Sequence, residues 1–153
     1  MKHLLLIYSS QTGHTEAMLQ EARTAIAGEF SDTVEVRCLR ALSAGLDDLL
    51  WAEALLIATP ENFGYMSGAV KDFLDRTYYP AQGKVTCLPY AVMVSAENDG
   101  SGAVHAIERI AIGYGWSKVA EALIVKGELD PESRAQCRDL GLTLAAGLAV
   151  GIF

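Results

Sequence analysis

Positive charge is in short supply in this sequence. Lysine and arginine number 12 against 19 aspartates and glutamates, a formal net charge of −7. Nucleic-acid binding needs a basic footprint, and docking on anionic lipid needs basic clusters, so both classes are excluded. Cysteine is also scarce. Cys38, Cys87 and Cys137 are scattered, odd in number and without metal-ligand spacing, so they read as small buried hydrophobes, not as a disulfide framework or a metal site. Proline occurs only 4 times, and no Pro/Gly/Ser-rich linker, repeat or charge run divides the chain. The 153 residues therefore read as one domain, 1–153, able to bury about two-thirds of its unfolded surface. No apolar run reaches the roughly 18 residues that a membrane span requires. The run from Leu140 to Phe153 reads instead as a buried final helix. No basic region or small-residue cleavage site precedes the first strand, and the expected location is the cytoplasm.

What is present is a strict alternation. Lys2 to Tyr8 is nearly all apolar, the habit of a central parallel strand buried on both faces. Ala17, Met18, Ala22, Ala25 and Ile26 then fall on one side of a helix. Val34 to Leu39 alternates as a half-exposed strand, and a weak helix follows with Leu42, Leu46, Leu49 and Leu50 on one face. Ala54 to Thr59 is a second continuous apolar strand, expected to halt at Pro60, and Glu61 to Ser67 reads as a loop. Gly68 to Tyr78 is helical, with Val70, Phe73, Leu74 and Thr77 inward. Pro89 opens the strand Tyr90 to Ser95, and Ala103, Ile107, Ile110, Ala111 and Tyr114 stripe the next helix. Lys118 to Val125 is the fifth strand, and Asp130-Pro131 is an N-cap followed by a first-turn proline. Five strand–helix alternations imply a doubly wound α/β sheet, whose ligands bind beyond the carboxyl ends of the strands. Three polar, glycine-bearing loops leave strands one, three and four: Ser9 to Thr15, Pro60 to Ser67 and Ser95 to Gly102.

The first of these loops, Ser9-Ser10-Gln11-Thr12-Gly13-His14-Thr15, joins a strand to a helix start and is rich in hydroxyls. Free amides of the first helical turn, hydroxyls and the helix dipole together suit an anion. The turn has no lysine or arginine, so a phosphate here meets neutral donors only, which fits a stably held cofactor monophosphate better than a transferable triphosphate. No Gly-Lys-Ser/Thr loop and no Gly-x-Gly-x-x-Gly fingerprint follows the first strand. A phospho-acceptor receiver is also excluded. It needs acidic residues after strands one and three, where this chain has Ser9-Ser10 and Thr59-Pro60, and only Lys126 matches its pattern.

The run Ser9 to Glu16, with its Thr-Gly-His-Thr-Glu core, resembles the phosphate loop of the flavodoxin-like superfamily. Thr59-Pro60-Glu61-Asn62-Phe63-Gly64-Tyr65-Met66-Ser67-Gly68, followed by Phe73-Leu74-Asp75, is similar to NAD(P)H-dependent FMN reductases and to quinone reductases of the tryptophan-repressor-binding-protein type. The resemblance implies a three-layer sandwich around a five-stranded parallel sheet of order 2-1-3-4-5, of the short-chain type. It implies FMN as cofactor, with Ser9, Ser10, Gln11, Thr12, Gly13, His14 and Thr15 around the phosphate. Pro60, Glu61, Asn62, Phe63, Gly64 and Tyr65 would follow the isoalloxazine, with Ser95, Glu97, Asn98 and Gly100 on its other edge. Phe63 and Tyr65 also admit a reading as loop aromatics packed on the domain, and Glu97 and Asp99 as a solvated loop, while His14 reads as a residue whose backbone matters and whose imidazole is incidental. Trp51, Trp116, Tyr78 and Tyr79 read as core or subunit-contact residues.

The activity so implied carries electrons from NAD(P)H through flavin to a quinone, free flavin or similar acceptor. The alternative is a flavodoxin-type carrier that docks on a redox partner protein. No catalytic side chain and no metal is assigned. Glu61, Glu97 and Asp99 are expected near the flavin rim, where their charge would depress its potential. Lys71, Arg76 and Arg109 are candidate contacts for a nucleotide 2′-phosphate, each reading also as a solvated helix charge. The sequence leaves the oligomeric state open, with Tyr78-Tyr79-Pro80 a candidate homodimer contact.

Overall fold

Strands that are apolar on both faces need a helical layer on each side, and the computed structural model, which describes residues 1–153, has that arrangement. In chain order the elements are β1 (Lys2–Tyr8), α1 (His14–Phe30), β2 (Val34–Arg40), α2 (Leu46–Trp51), β3 (Ala54–Asn62), β4 (Tyr65–Met66), α3 (Gly68–Ala81), β5 (Pro89–Ala96), α4 (Ser101–Tyr114), β6 (Ser117–Lys118), β7 (Leu123–Lys126) and α5 (Pro131–Val150). The sheet runs β2-β1-β3-β5, with β6 and β7 both on the outer edge of β5, and all of these pairs are parallel. This is the flavodoxin-like order, with β6 and β7 sharing the fifth place. Leu5, Ile7, Leu55 and Ile57 face the layer of α2, α3 and α4, while Leu4, Leu6, Leu56 and Ala58 face α1 and α5. The period of two along each strand thus fills two cores, and each fully buried leucine or isoleucine contributes about 1.5–3 kcal/mol. Gly141 lets α5 settle onto α1, since a Cβ there would stand 2.8 Å from that of Ala22.

Four expectations are corrected. The five strands become seven segments, because the fifth breaks into β6 and β7 and a short β4 is added beside β3. The fifth is an edge strand, so its interruption strips no neighbour of partners, and Val119 still donates its N–H to Tyr90 O at 3.1 Å. Second, β3 does not halt at Pro60 but runs on to Asn62. Ala58 turns its carbonyl to Ser9 on the β1 side, and Pro60, two residues on, faces the same way. The β1 ladder has already ended at Tyr8, so the missing proline N–H is not needed. Third, the loop 61–67 contains β4, antiparallel to the end of β3 with Glu61 opposite Met66 and Asn62 opposite Tyr65. Fourth, the helix expected around Leu42 to Leu50 starts only at Leu46, which leaves Leu42 outside it and exposed, and within the short helix Leu49 is buried while Leu50 faces outward.

Trp116 is buried and stacked on Tyr114 with ring centroids 4.2 Å apart, while Trp51 stacks on His3 and lies under the Arg37 guanidinium. Tyr78 meets Tyr114 edge-on, whereas Tyr79 is exposed. Cys137 is buried, but Cys38 is only half-buried and Cys87 is exposed, so the hydrophobe reading of the cysteines holds fully for Cys137 alone. No helix of the chain is long and apolar enough to cross a membrane.

Candidate functional site

The loops leaving β1, β3 and β5 meet at one edge of the sheet. They enclose a cleft of about 130 Å³ lined by Gln11, Thr12, His14 and Thr15, by Pro60, Glu61 and Asn62, and by Ser95, Ala96 and Glu97. Of these only Ala96 was not anticipated. Its small side chain carries no chemical signal that would have singled it out. Thr15, at the buried floor, exchanges a 2.7 Å hydrogen bond with Ser95 and ties the first loop to the third.

Gly13 opens α1 in the left-handed region (φ 97). This swings the preceding residues across the helix end, and Ser10 Oγ accepts from the N–H groups of Gly13 (3.2 Å) and Glu16 (3.4 Å). The amides of Ser10, Gln11, Thr12, His14 and Thr15 donate to no group of the chain. A row of such donors at a helix N-terminus is the donor set of an anion site. Ser10 and Gly13 therefore shape the loop from behind the cleft, and Ser9 anchors it by donating to Ala58 O at 3.1 Å.

A cation stands nearer than the loop sequence suggested. Arg40, at the end of β2, lies 3.6 Å from the Glu16 carboxylate, reaches Ser10 O at 3.5 Å and sits over the Tyr8 ring. Burial, followed by the adjacent Glu16 charge, pushes the Tyr8 phenol above its ordinary range. On the other rim His14 Nε2 faces Glu128 at 3.6 Å. Neither Arg40 nor Glu128 could be found from local sequence, since each arrives from a different βα unit.

The second loop is a clamped hairpin. Glu61 reaches over to α4, where its carboxylate accepts from the N–H groups of Gly100 (3.0 Å), Gly102 (3.1 Å) and Ala103 (3.3 Å). The Ser67 N–H donates to Thr59 Oγ1 at 3.0 Å and closes the hairpin base. Gly102 lies directly under Gly64, and a Cβ on it would overlap the Gly64 carbonyl oxygen and stand 2.8 Å from its carbon. At the tip both Phe63 (φ 52) and Gly64 (φ 74) are left-handed, the type I′ turn of a two-residue hairpin. A phenylalanine there costs about 1–2 kcal/mol, and its side chain is fully exposed.

The structure thus brings together nine of the anticipated side chains and leaves others outside the cleft. Phe63, Gly64 and Tyr65 stand out on the hairpin; Asn98 is exposed, and the Gly100 amide belongs to Glu61. The rim electrostatics also change. Glu61 is committed to α4, and Asp99 accepts from the Ser101 hydroxyl (2.7 Å) and N–H (3.3 Å), which hold its carboxyl below the usual range. Glu97 is the acid of the three that remains exposed on the cleft.

With the loops so placed, the sequence between them decides the family. A model of the family described as NADPH-dependent FMN reductase matches residues 40–127. The chain belongs to the NADPH-dependent FMN reductase family. As a member it is a flavodoxin-like, FMN-binding redox protein. The match takes in the second and third loops and stops short of the first. A flavodoxin of Aquifex aeolicus is 26% identical over 98% of this chain and 89% of its own length. An NAD(P)H dehydrogenase (quinone) of Acidithiobacillus ferrooxidans is 30% identical over 50% of this chain and 48% of its own. Among solved structures, a flavodoxin from the Archaea superposes with a TM-score of 0.81 at 23% identity, covering 95% of this chain and 98% of that one.

Proposed function

We propose that residues 1–153 act as one FMN-holding domain that takes electrons from NAD(P)H and passes them to a quinone, a free flavin or a similar small acceptor. The observation that carries this reading is the set of unpartnered amides on Gln11, Thr12, His14 and Thr15, residues that line the same cleft as Glu61 and Asn62 of the clamped hairpin. The FMN phosphate fits those donors together with the Thr12 and Thr15 hydroxyls. Ser10 serves as the helix cap behind them and Arg40 as a cation at the rim. A cleft of about 130 Å³ suits the phosphate end alone. Ligand pockets of whole cofactors run to about 300–1,000 Å³, so the ring would lie outward between Asn62 and Glu97, with Phe63, Gly64 and Asn98 at its margin. The bound flavin supplies the redox chemistry; the chain binds it, orients it and sets its electrostatic surroundings.

A second reading, an electron carrier that docks on a basic partner, draws on the net charge of −7 and on the full-length likeness to a flavodoxin. One experiment separates them. The purified protein is loaded with FMN, its visible spectrum is recorded, and NADPH and NADH oxidation is followed with a quinone acceptor. Flavin bands with rapid turnover are expected. Flavin bands without turnover would leave the carrier, and a colourless protein that takes up no FMN at millimolar concentration would sink both.

A further inference from the structure

The 61–66 hairpin separates two concavities. Asn62 lines the cleft described above; Tyr65, its antiparallel partner, lines a larger groove of about 610 Å³ between α3 and α4. His105 and Arg109, four residues apart on one face of α4, form one wall, and Lys71 from the first turns of α3 forms the other, with Ile110 among the apolar lining. No acidic side chain lines the groove. Most of the lysines and arginines of this acidic chain are paired with carboxylates, but Arg109 and His105 are in no ion pair. Lys71 shares its charge with Asp75 at 2.6 Å. Arg76, the other cation expected beside a nucleotide phosphate, is used elsewhere: it donates to the carbonyls of Ala44 and Ala41 at 3.0 Å each.

We propose that this groove binds the adenosine 2′-phosphate end of NADPH. Arg109 and Lys71 would hold the dianionic phosphate, His105 would add a third donor, and the half-exposed Tyr65 ring would offer the purine a face. An arginine fork matches a phosphate through paired, charge-assisted hydrogen bonds, and it is the group that accommodates a 2′-phosphate in dinucleotide sites. A volume within the small-ligand range and a lining that holds cations without an acid favour a phosphorylated small ligand. The position also fits. The groove shares its dividing hairpin with the cleft, so a nucleotide anchored by its far end would lie beside the proposed redox site. The inference rests on the reading that the chain oxidises NAD(P)H.

The test uses the FMN-loaded protein. Calorimetric titration with 2′,5′-ADP and with 5′-AMP is done on the wild type, Arg109→Ala, Lys71→Ala and, as a control at the opposite end of the sheet, Lys84→Ala. The same four proteins are assayed with NADPH and NADH. The 2′-phosphate should strengthen binding to the wild type by about tenfold or more, and Arg109→Ala should remove most of that gain. The ratio of kcat/KM for NADPH over NADH should fall by about tenfold in Arg109→Ala, less in Lys71→Ala, and stay put in Lys84→Ala. Equal affinity of the wild type for the two nucleotides would overturn the proposal. So would turnover with both coenzymes at a ratio that neither Arg109→Ala nor Lys71→Ala moves, while the oxidoreductase reading would stand. Arg109-dependent binding of 2′,5′-ADP without oxidation of either coenzyme would uphold the groove and discard the enzyme reading.

Discussion

Replacing Glu61 with alanine should be among the most damaging single changes at the cleft, although Glu61 performs no chemistry in this reading. Its carboxylate accepts three backbone N–H groups at the start of α4, at 3.0, 3.1 and 3.3 Å, and so joins the second loop to the third. An ordinary N-cap contributes about 1 kcal/mol, and a hydrogen bond to a charged group about 1.5–3 kcal/mol. Glu61 is half-buried, so water recovers part of what the alanine variant loses, and a net loss of about 2–3 kcal/mol follows. For a chain of this size each kcal/mol lowers Tm by about 2–4 °C, which puts the drop at about 4–12 °C. Glu61→Gln keeps an acceptor oxygen and loses the charge–dipole part, about 1 kcal/mol. Thermal unfolding of the apoprotein followed by circular dichroism should therefore rank wild type above Glu61→Gln above Glu61→Ala. FMN affinity should fall in the same order as the hairpin loosens. An alanine variant that melts within about 1 °C of wild type would refute the clamp, and a glutamine variant as unstable as alanine would show that charge alone mattered.

Gly102→Ala should displace the hairpin, because its Cβ collides with backbone at Gly64 and not with a side chain that could swing aside; amide shifts at residues 62–66 with FMN weakened about tenfold or more are expected, and an unperturbed spectrum would contradict the contact. Glu97→Gln removes the exposed acid of the cleft. At about 10 Å and an effective dielectric of about 40 its charge contributes about 0.8 kcal/mol, so the more negative one-electron potential of the FMN-loaded protein should rise by about 35 mV, and a redox titration that finds it unmoved or lower counts against the geometry. Glu21 spans α1 and α5 through hydrogen bonds to Arg134 (2.8 Å) and Arg138 (2.7 Å), and these hold its carboxyl below its ordinary value of 4.5. A depressed carboxyl stabilises the fold above its unfolded value and the benefit fades as pH falls through the folded one, so Glu21→Gln should lower Tm at pH 7 and narrow to wild type in strongly acidic buffer; a constant difference across pH would exclude the clamp.

The layered fold was open to reading because its cause is local. Leu4 to Ile7 and Ala54 to Ala58 must be apolar at every position, since alternate residues enter opposite cores, and that demand is written consecutively along the chain. The three glycine-bearing loops were visible for a similar reason: polar residues that follow such strands cannot be buried with them. Pro60 misled because a proline reads as a stop until one knows that β1 ends first and leaves its nitrogen with no carbonyl to meet. Glu61 looked like free charge because the amides that receive it are carried by another βα unit. Gly102 looked like an ordinary loop glycine until Gly64 was set above it. Arg40 reaches the first loop only through the parallel pairing of β2 with β1. Local sequence determines which segments are strands, helices and polar turns, because burial and hydrogen bonding act residue by residue. Which charges are neutralised, which amides stay free and which cations share a groove depends on where distant backbones come to rest, and only the assembled sheet decides that.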